Sequence, residues 1–272
     1  DPSDRMQPGL LAKADTFEDI EKAIISMLAK QLPAFYLNEV ENLISRRLTG
    51  HWCYANPIYS SIYKAIRAAR QFYEIRTQYL GGFTFATASQ LLDAYKENLY
   101  KFDACYRQFH EHAAVVAQHG SDILKLTGLA EDIEALYVDW YLHDLAVNWG
   151  NCIDAEQLID HWRIQGTHSQ STFYQREVRS VLNNSQNKRV FVIISDALRY
   201  EVAHELMSEI NNEQRFKAAL STQLGVLPSY TQLGMAALLP HQVLSAKVNS
   251  SIEYLCDGVS AHGIENRQKV LA

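Results

Sequence analysis

With 272 residues, of which 47% are hydrophobic and 21% charged, the chain exceeds the usual size of one domain and has the apolar content of a globular core, which excludes wholesale disorder. A formal net charge of −6 argues against broad cationic wrapping of nucleic acid, while leaving room for a local basic groove. Cys53, Cys105, Cys152 and Cys256 form no CxxC pair, so a zinc ribbon and a dense disulfide framework are excluded and reduced thiols in a cytoplasmic protein fit best.

There is no run of about 18 apolar residues and no basic-then-apolar leader, so no membrane association is expected. The sequence starts at Asp1 rather than Met and stops after a polar segment, which leads us to expect a piece of something longer.

Residues 16–164 read as consecutive helices. In the first, Ile20, Ala23, Ile24, Met27 and Leu28 recur at helical spacing, Thr16 and Asp19 resemble a capping box, and Pro33 marks the break. A second helix carries Val40, Leu43, Ile44 and Leu48 and ends near Gly50. A third covers about 57–80, with Ile62, Ala65, Ile66 and Ala69 on one stripe and Gly81-Gly82 as its stop. Further helices are expected over 87–118, stopped by Gly120, and over 121–147 with a break near Gly128. A shorter one spans 154–163, capped by Asp154. The tyrosines and tryptophans of this half, Trp140, Tyr141, Trp149 and Trp162 among them, read as bundle core or amphipathic surface.

The character changes after Gly166. A polar stretch and an amphipathic helix over 172–182 lead to turn-rich residues 183–187. The continuous β-branched run 190–194 then reads as a buried parallel strand, followed by a loop containing Asp196 and a helix over 201–210. A second strand is expected over 216–222, a short helix from Thr231 to before Pro240, and a third strand over 251–256. Three strands are too few for a finished doubly wound sheet, so the α/β unit reads as truncated, with 1–166 α-helical, 167–188 a helix and turn linker, and 189–272 the start of an α/β domain.

In open α/β sheets, function gathers at the carboxyl ends of strands. A carboxylate placed there, at Asp196, suits a hard or borderline cation; the competing assignment is a cap on the next helix. Thr231 begins a short helix, where free N–H groups favour a phosphate oxygen or an ionising hydroxyl, and it too has capping as the plainer alternative. Arg199 has the planar fork that suits phosphate but lies close to acids it can pair with, and Gln232 stands beside Thr231 as a possible donor to a phosphoryl oxygen. His110 and His112, two positions apart, project from different faces of a helix, and His143-Asp144 lies within an amphipathic helix; these groups, with His119, read as solvated surface. P-loop, dinucleotide-binding and HExxH motifs are absent from the sequence.

The segments VFVIISDALRYEVAHEL and LPSYTQLGMAALLPH, with Asp257-Gly258 to Arg267 as their continuation, resemble the PglZ family, the alkaline-phosphatase-superfamily component of bacterial BREX phage-defence systems. The resemblance covers about 189–241, while the helical half carries no specific motif. It implies an alkaline-phosphatase-like α/β fold in which Asp196 holds a catalytic metal and Thr231 is the metal-bound nucleophile of a phosphodiesterase, nuclease or phosphatase. It further implies a divalent pair, commonly zinc with manganese or magnesium as alternatives. Between Thr231 and Ala272 only His241, Asp257 and His262 are further candidates and none is assigned as a ligand, so the remaining ligands are expected beyond residue 272. Partners implied are other BREX proteins and a nucleic-acid or nucleotide substrate. The alternative is a non-catalytic interaction module, in which the tyrosine-rich helices dock partner proteins.

Overall fold

The computed structural model describes residues 16–32, 37–119, 126–184, 189–248 and 250–272. The chain folds as two compact units, one reaching Ile153 and the other starting at Asp154.

The first unit is helical. Helices α1 (Glu18–Gln31), α2 (Leu37–Leu48), α3 (His51–Ala55) and α4 (Pro57–Arg76) are followed by a 3-10 turn, Thr77–Tyr79. Next, α5 (Ala88–Ala94) runs through a π segment, Tyr95–Leu99, into α6 (Tyr100–His119). In the same way α7 (Thr127–Ala135) continues through the π segment Leu136–Leu142 into α8 (His143–Ala155). The start of α4 is fixed by Asn56, whose side chain accepts from Ile58 N at 3.1 Å, with Pro57 in the first turn where its missing N–H costs nothing. Thr87 caps α5 through Gln90 N at 3.2 Å.

The stripe Ile62, Ile66, Ala69 and Phe72 on α4 is wholly buried and meets Phe102 and Phe109 of α6 in one core, together with Ile24 and Leu28 of α1 and Ile44 of α2. Phe102 is its centre, with ring centroids 4.9 Å from Phe72 and 4.7 Å from Tyr141. The two π segments meet polar needs inside this core. Tyr141 donates to Leu99 O at 3.1 Å, and buried Asp103 accepts from Tyr95 and Tyr137, each at 2.7 Å. A second buried network joins Glu21 to Arg47 at 2.9 Å and to the Tyr63 hydroxyl at 2.6 Å.

Several expected details differ. Thr16 does not cap α1: the cap position is Phe17, without a side-chain bond, and the acidic first turn Glu18, Asp19 and Glu21 complements the helix dipole instead. Asp154 lies in the last turn of α8 rather than at a new start, and α9 is only Leu158–His161, entered and left through left-handed residues Gln157 and Trp162. Helix α7 starts at Thr127, after the non-helical Leu126, so the break expected near Gly128 falls at the start of this helix. Pro33 and Gly120 lie outside the described residues.

The second unit mixes helices with small sheets. Strand β1 (His168–Ser169) pairs in parallel with β2 (Gln223–Leu224). Between them come a 3-10 turn, Gln170–Thr172, a π segment, Tyr174–Arg179, α10 (Ser180–Asn183) and α11 (Tyr200–Asn212). After β2 follow α12 (Thr231–Ala237), the antiparallel strands β3 (Leu244–Val248), β4 (Ile252–Cys256) and β5 (Val259–Ser260), and α13 (Gly263–Leu271). Register pairs Leu244 with Cys256 and Val248 with Ile252. Ala236 of α12, Cys256 of β4 and Ala261 form a small core there.

The run 190–194, expected as a buried strand, is neither: it has no ladder partner among the described residues, and Phe191 and Ile193 are 83% and 91% exposed. A continuous apolar run is a strand only when neighbours supply its hydrogen bonds and cover both faces. The expected strand 216–222 is also irregular. The Asn211 amide takes both backbone groups of Ala218, accepting from its N at 2.9 Å and donating to its O at 3.0 Å, as a neighbouring strand would. The third expected strand is present as β4, in an antiparallel sheet.

Candidate functional site

Asp196 and Thr231, 35 positions apart, meet. Thr231 Oγ1 donates to Asp196 Oδ2 at 3.0 Å, and Asp196 Oδ1 accepts from Ala197 N at 3.1 Å. The carboxylate is therefore held at both oxygens, and neither residue is a cap. Arg199 occupies the cap position of α11 and Tyr230 that of α12, neither with a side-chain capping bond. Asp196 is delivered by a loop rather than by a strand end. The turn that presents it places Ala197 at φ +60°, a left-handed conformation that costs a non-glycine residue of order 1 kcal/mol and that clusters at functional sites.

Both side chains open onto a cleft of about 390 Å³, lined also by Ser195, Gln170, Ser229 and Tyr230. Its wall is built by side chains from an earlier segment. Gln170 Oε1 accepts from Val226 N at 3.1 Å and its Nε2 donates to Gly234 O at 3.2 Å, tying the loop before Thr231 to the helix after it. On the neighbouring carbonyl, Trp162 Nε1 donates to Gly225 O at 2.7 Å. A Cβ on Gly234 would stand 3.4 Å from Gln170 Nε2, at van der Waals contact, so the amide lies directly over this residue. Gln170 carried no signal in the sequence, and Trp162, expected as an aromatic of the helical bundle, belongs instead to the second unit; their partners are backbone atoms some 60 positions away. The Tyr230 phenol is pushed up to about 12 by its hydrogen bond with Tyr254, so it stays protonated at neutral pH.

The other sequence candidates lie elsewhere. Arg199 pairs with Glu201 at 3.3 Å and does not line the cleft. Gln232 faces a second cavity, since successive residues of a helix project about 100° apart. His241 Nδ1 lies 2.8 Å from Leu239 O. The Asp257 carboxylate accepts from Gln242 N and Val243 N at 3.0 and 2.7 Å; these bonds hold its pKa below the usual aspartate value and make it a clamp on the turn into β3.

A carboxylate and a hydroxyl within 3.0 Å and facing a cleft suit a divalent cation as part of a donor set. Among the described residues no group of three or more His, Cys, Asp or Glu is placed to hold a metal ion. No helix among them is long and apolar enough to cross a membrane.

Comparison with known proteins matches residues 173–272 to the BREX system PglZ alkaline phosphatase-like domain. The chain is 43% identical over 265 residues to the alkaline phosphatase-like protein BrxZ of Escherichia coli O9:H4 (strain HS), covering 96% of this chain and 30% of that protein. It is 35% identical over 264 residues to the alkaline phosphatase-like protein PglZ of Bacillus cereus (strain H3081.97), covering 95% of this chain and 29% of that protein. The chain thus spans under a third of the length of these relatives. No solved structure gives a significant match.

Proposed function

Because this chain matches a member of the PglZ family, we propose that it contributes the nucleophile and one metal-ligating carboxylate to a metal-dependent phosphoryl-transfer hydrolase, a phosphodiesterase, nuclease or phosphatase acting in BREX phage defence. The observation that carries this reading is the 3.0 Å bond from Thr231 Oγ1 to Asp196 Oδ2 at the mouth of the cleft. On the same reading, residues 173–272 belong to an alkaline-phosphatase-like α/β sheet, with further metal ligands supplied from outside the chain. Other BREX proteins are the partners, the substrate is a nucleic acid or nucleotide, and the protein works in the cytoplasm.

Asp196 Oδ2 and Thr231 Oγ1 would hold the cation, zinc or else manganese or magnesium. The chemistry a divalent ion supplies at such a site is a lowered hydroxyl pKa and neutralisation of phosphoryl charge. The chain's own residues orient the reaction. Asp196 fixes the direction of Oγ1, Ala197 N fixes Asp196, and Gln170 fixes the turn and helix that carry Thr231. Oγ1 loses its proton to solvent and forms the bond to phosphorus as the leaving group's P–O bond breaks, the departing alkoxide being protonated by solvent; water then cleaves the phosphothreonine, its oxygen staying on the released phosphate and a proton restoring the Thr231 hydroxyl.

The test is turnover of bis-p-nitrophenyl phosphate, with zinc or manganese added, by a polypeptide that carries this chain at the full length of its relatives. Thr231→Ala is expected to lower kcat by more than about 100-fold. Equal turnover by the variant and the parent refutes the assignment.

A further inference from the structure

A second cavity, of about 310 Å³, adjoins the cleft in the same unit. The two are parted by a thin wall. Thr231 lines the cleft and Gln232 lines the cavity; Tyr230 lines the cleft and its ring partner Tyr254, at 5.7 Å between centroids, lines the cavity. The cleft and the cavity are thus lined by successive residues of α12 and by the two members of one ring pair.

The cavity is polar, and several of its donors have no bond among the described residues. Arg267 is half-buried, and its Nε donates to Ala261 O at 3.0 Å, which fixes the guanidinium plane; no bond among the described residues takes its two terminal nitrogens. The His262 ring, the Gln232 amide and the hydroxyls of Ser250 and Ser251 likewise have no bond among the described residues, and all line the cavity. Its carboxylate, Glu253, accepts from Ser260 Oγ at 2.5 Å. A planar, pre-oriented guanidinium beside neutral donors, with the carboxylate of Glu253 engaged by Ser260, is a recognition set for a phosphate.

We propose that this cavity, bounded by Arg267, His262 and Gln232, is a subsite for a second phosphate of the same substrate, so that the substrate is a nucleotide chain or another molecule with at least two phosphates rather than a simple monoester. This rests on the assignment of Thr231 as nucleophile, and it assigns Gln232 to the neighbouring phosphate instead of the reacting one. Consecutive phosphates of a nucleotide chain are parted by one sugar, and the residues that would face them, Thr231 and Gln232, are neighbours in α12.

The test is calorimetric titration of the 272-residue chain with 5′-phosphorylated dithymidylate, which has two phosphates, with dithymidylate lacking the terminal phosphate, and with inorganic phosphate. The two-phosphate ligand is expected to bind at least about tenfold more tightly than the one-phosphate ligand. Arg267→Gln and His262→Ala are each expected to shrink that ratio towards one, while circular dichroism reports an unchanged fold. Equal affinity of the parent for both ligands, no binding of either, or a ratio that survives in both variants overturns the proposal. So does inorganic phosphate competing as well as the two-phosphate ligand, because the cavity then takes a lone oxyanion. These outcomes are read from affinity alone. Failure of the nucleophile assignment shows instead as undiminished turnover by Thr231→Ala, so the two failures are separable.

Discussion

Two exposed aspartates of the second unit use their carboxylates in opposite ways. Asp257 points both oxygens at backbone, receiving Gln242 N and Val243 N, whereas Asp196 gives one oxygen to Ala197 N and leaves the other for the Thr231 hydroxyl. The first pattern fixes a turn; the second presents a side-chain pair to a cleft. The clamp has a pH signature. The pKa of Asp257 is lowered on folding by those backbone bonds, so its contribution to stability is complete above the ordinary aspartate value near 4 and is lost as pH falls through the lower folded value. Urea unfolding should accordingly show Asp257→Asn less stable than the parent at pH 7, with the gap closing as pH falls through the lowered folded value of Asp257. A gap independent of pH would mean that the carboxylate's charge is irrelevant to the turn. From sequence, Asp257 was visible only as a weak ligand candidate, because the backbone groups it serves are 14 and 15 positions away.

Helix α12 is only seven residues long and has no side-chain cap, so its position must come from its surroundings. Inside the unit Leu233, Ala236 and Ala237 are buried, and at its start the Gln170 amide joins the preceding loop to the helix backbone. Gln170→Ala removes both bonds and is expected to cost about 1–2 kcal/mol, read from the urea midpoint. It should also lower turnover by the full-length protein, since the Thr231 hydroxyl is aimed by that helix; Gln170→Glu, which keeps an acceptor for Val226 N but loses the donor to Gly234 O, should lie between. An unchanged midpoint would show the amide to be ornamental. The elements differ sharply in how legible they are. Helices α4, α5 and α11 follow from apolar spacing, with side-chain caps at the first two, because a helix closes its hydrogen bonds within itself. The run 190–194 has the composition of a strand but not its structure here, because strands need partners and sequence spacing carries no record of whether a neighbour is present. The meeting of Asp196 with Thr231 was legible through the resemblance to a family, not through periodicity.

At the scale of the molecule, the chain forms two compact units with separate cores. The first holds its charges inside: Glu21 and Arg47 are 1% and 4% exposed, Tyr63 completes the acid's hydrogen bonds, and burial among these groups drives the Tyr63 hydroxyl far above its ordinary pKa. The second has many exposed apolar residues around a small core, with Phe191, Ile193 and Phe216 open to solvent. A buried ion pair contributes little net stability while intact but is costly to break, since the surviving charge stays desolvated. Glu21→Ala leaves Arg47 in that state, at a cost of about 3–5 kcal/mol. The effect should be confined to the unit whose core the pair occupies. In hydrogen exchange, slow amides of α4 and α6 are expected to speed up by about 100-fold or more, while those of α12 and β4 keep their parent rates. Gln170→Ala should give the reverse pattern. If either variant accelerates both sets together, the units unfold as one, and the helical half would be part of the support of the Asp196–Thr231 cleft rather than a separate module beside it.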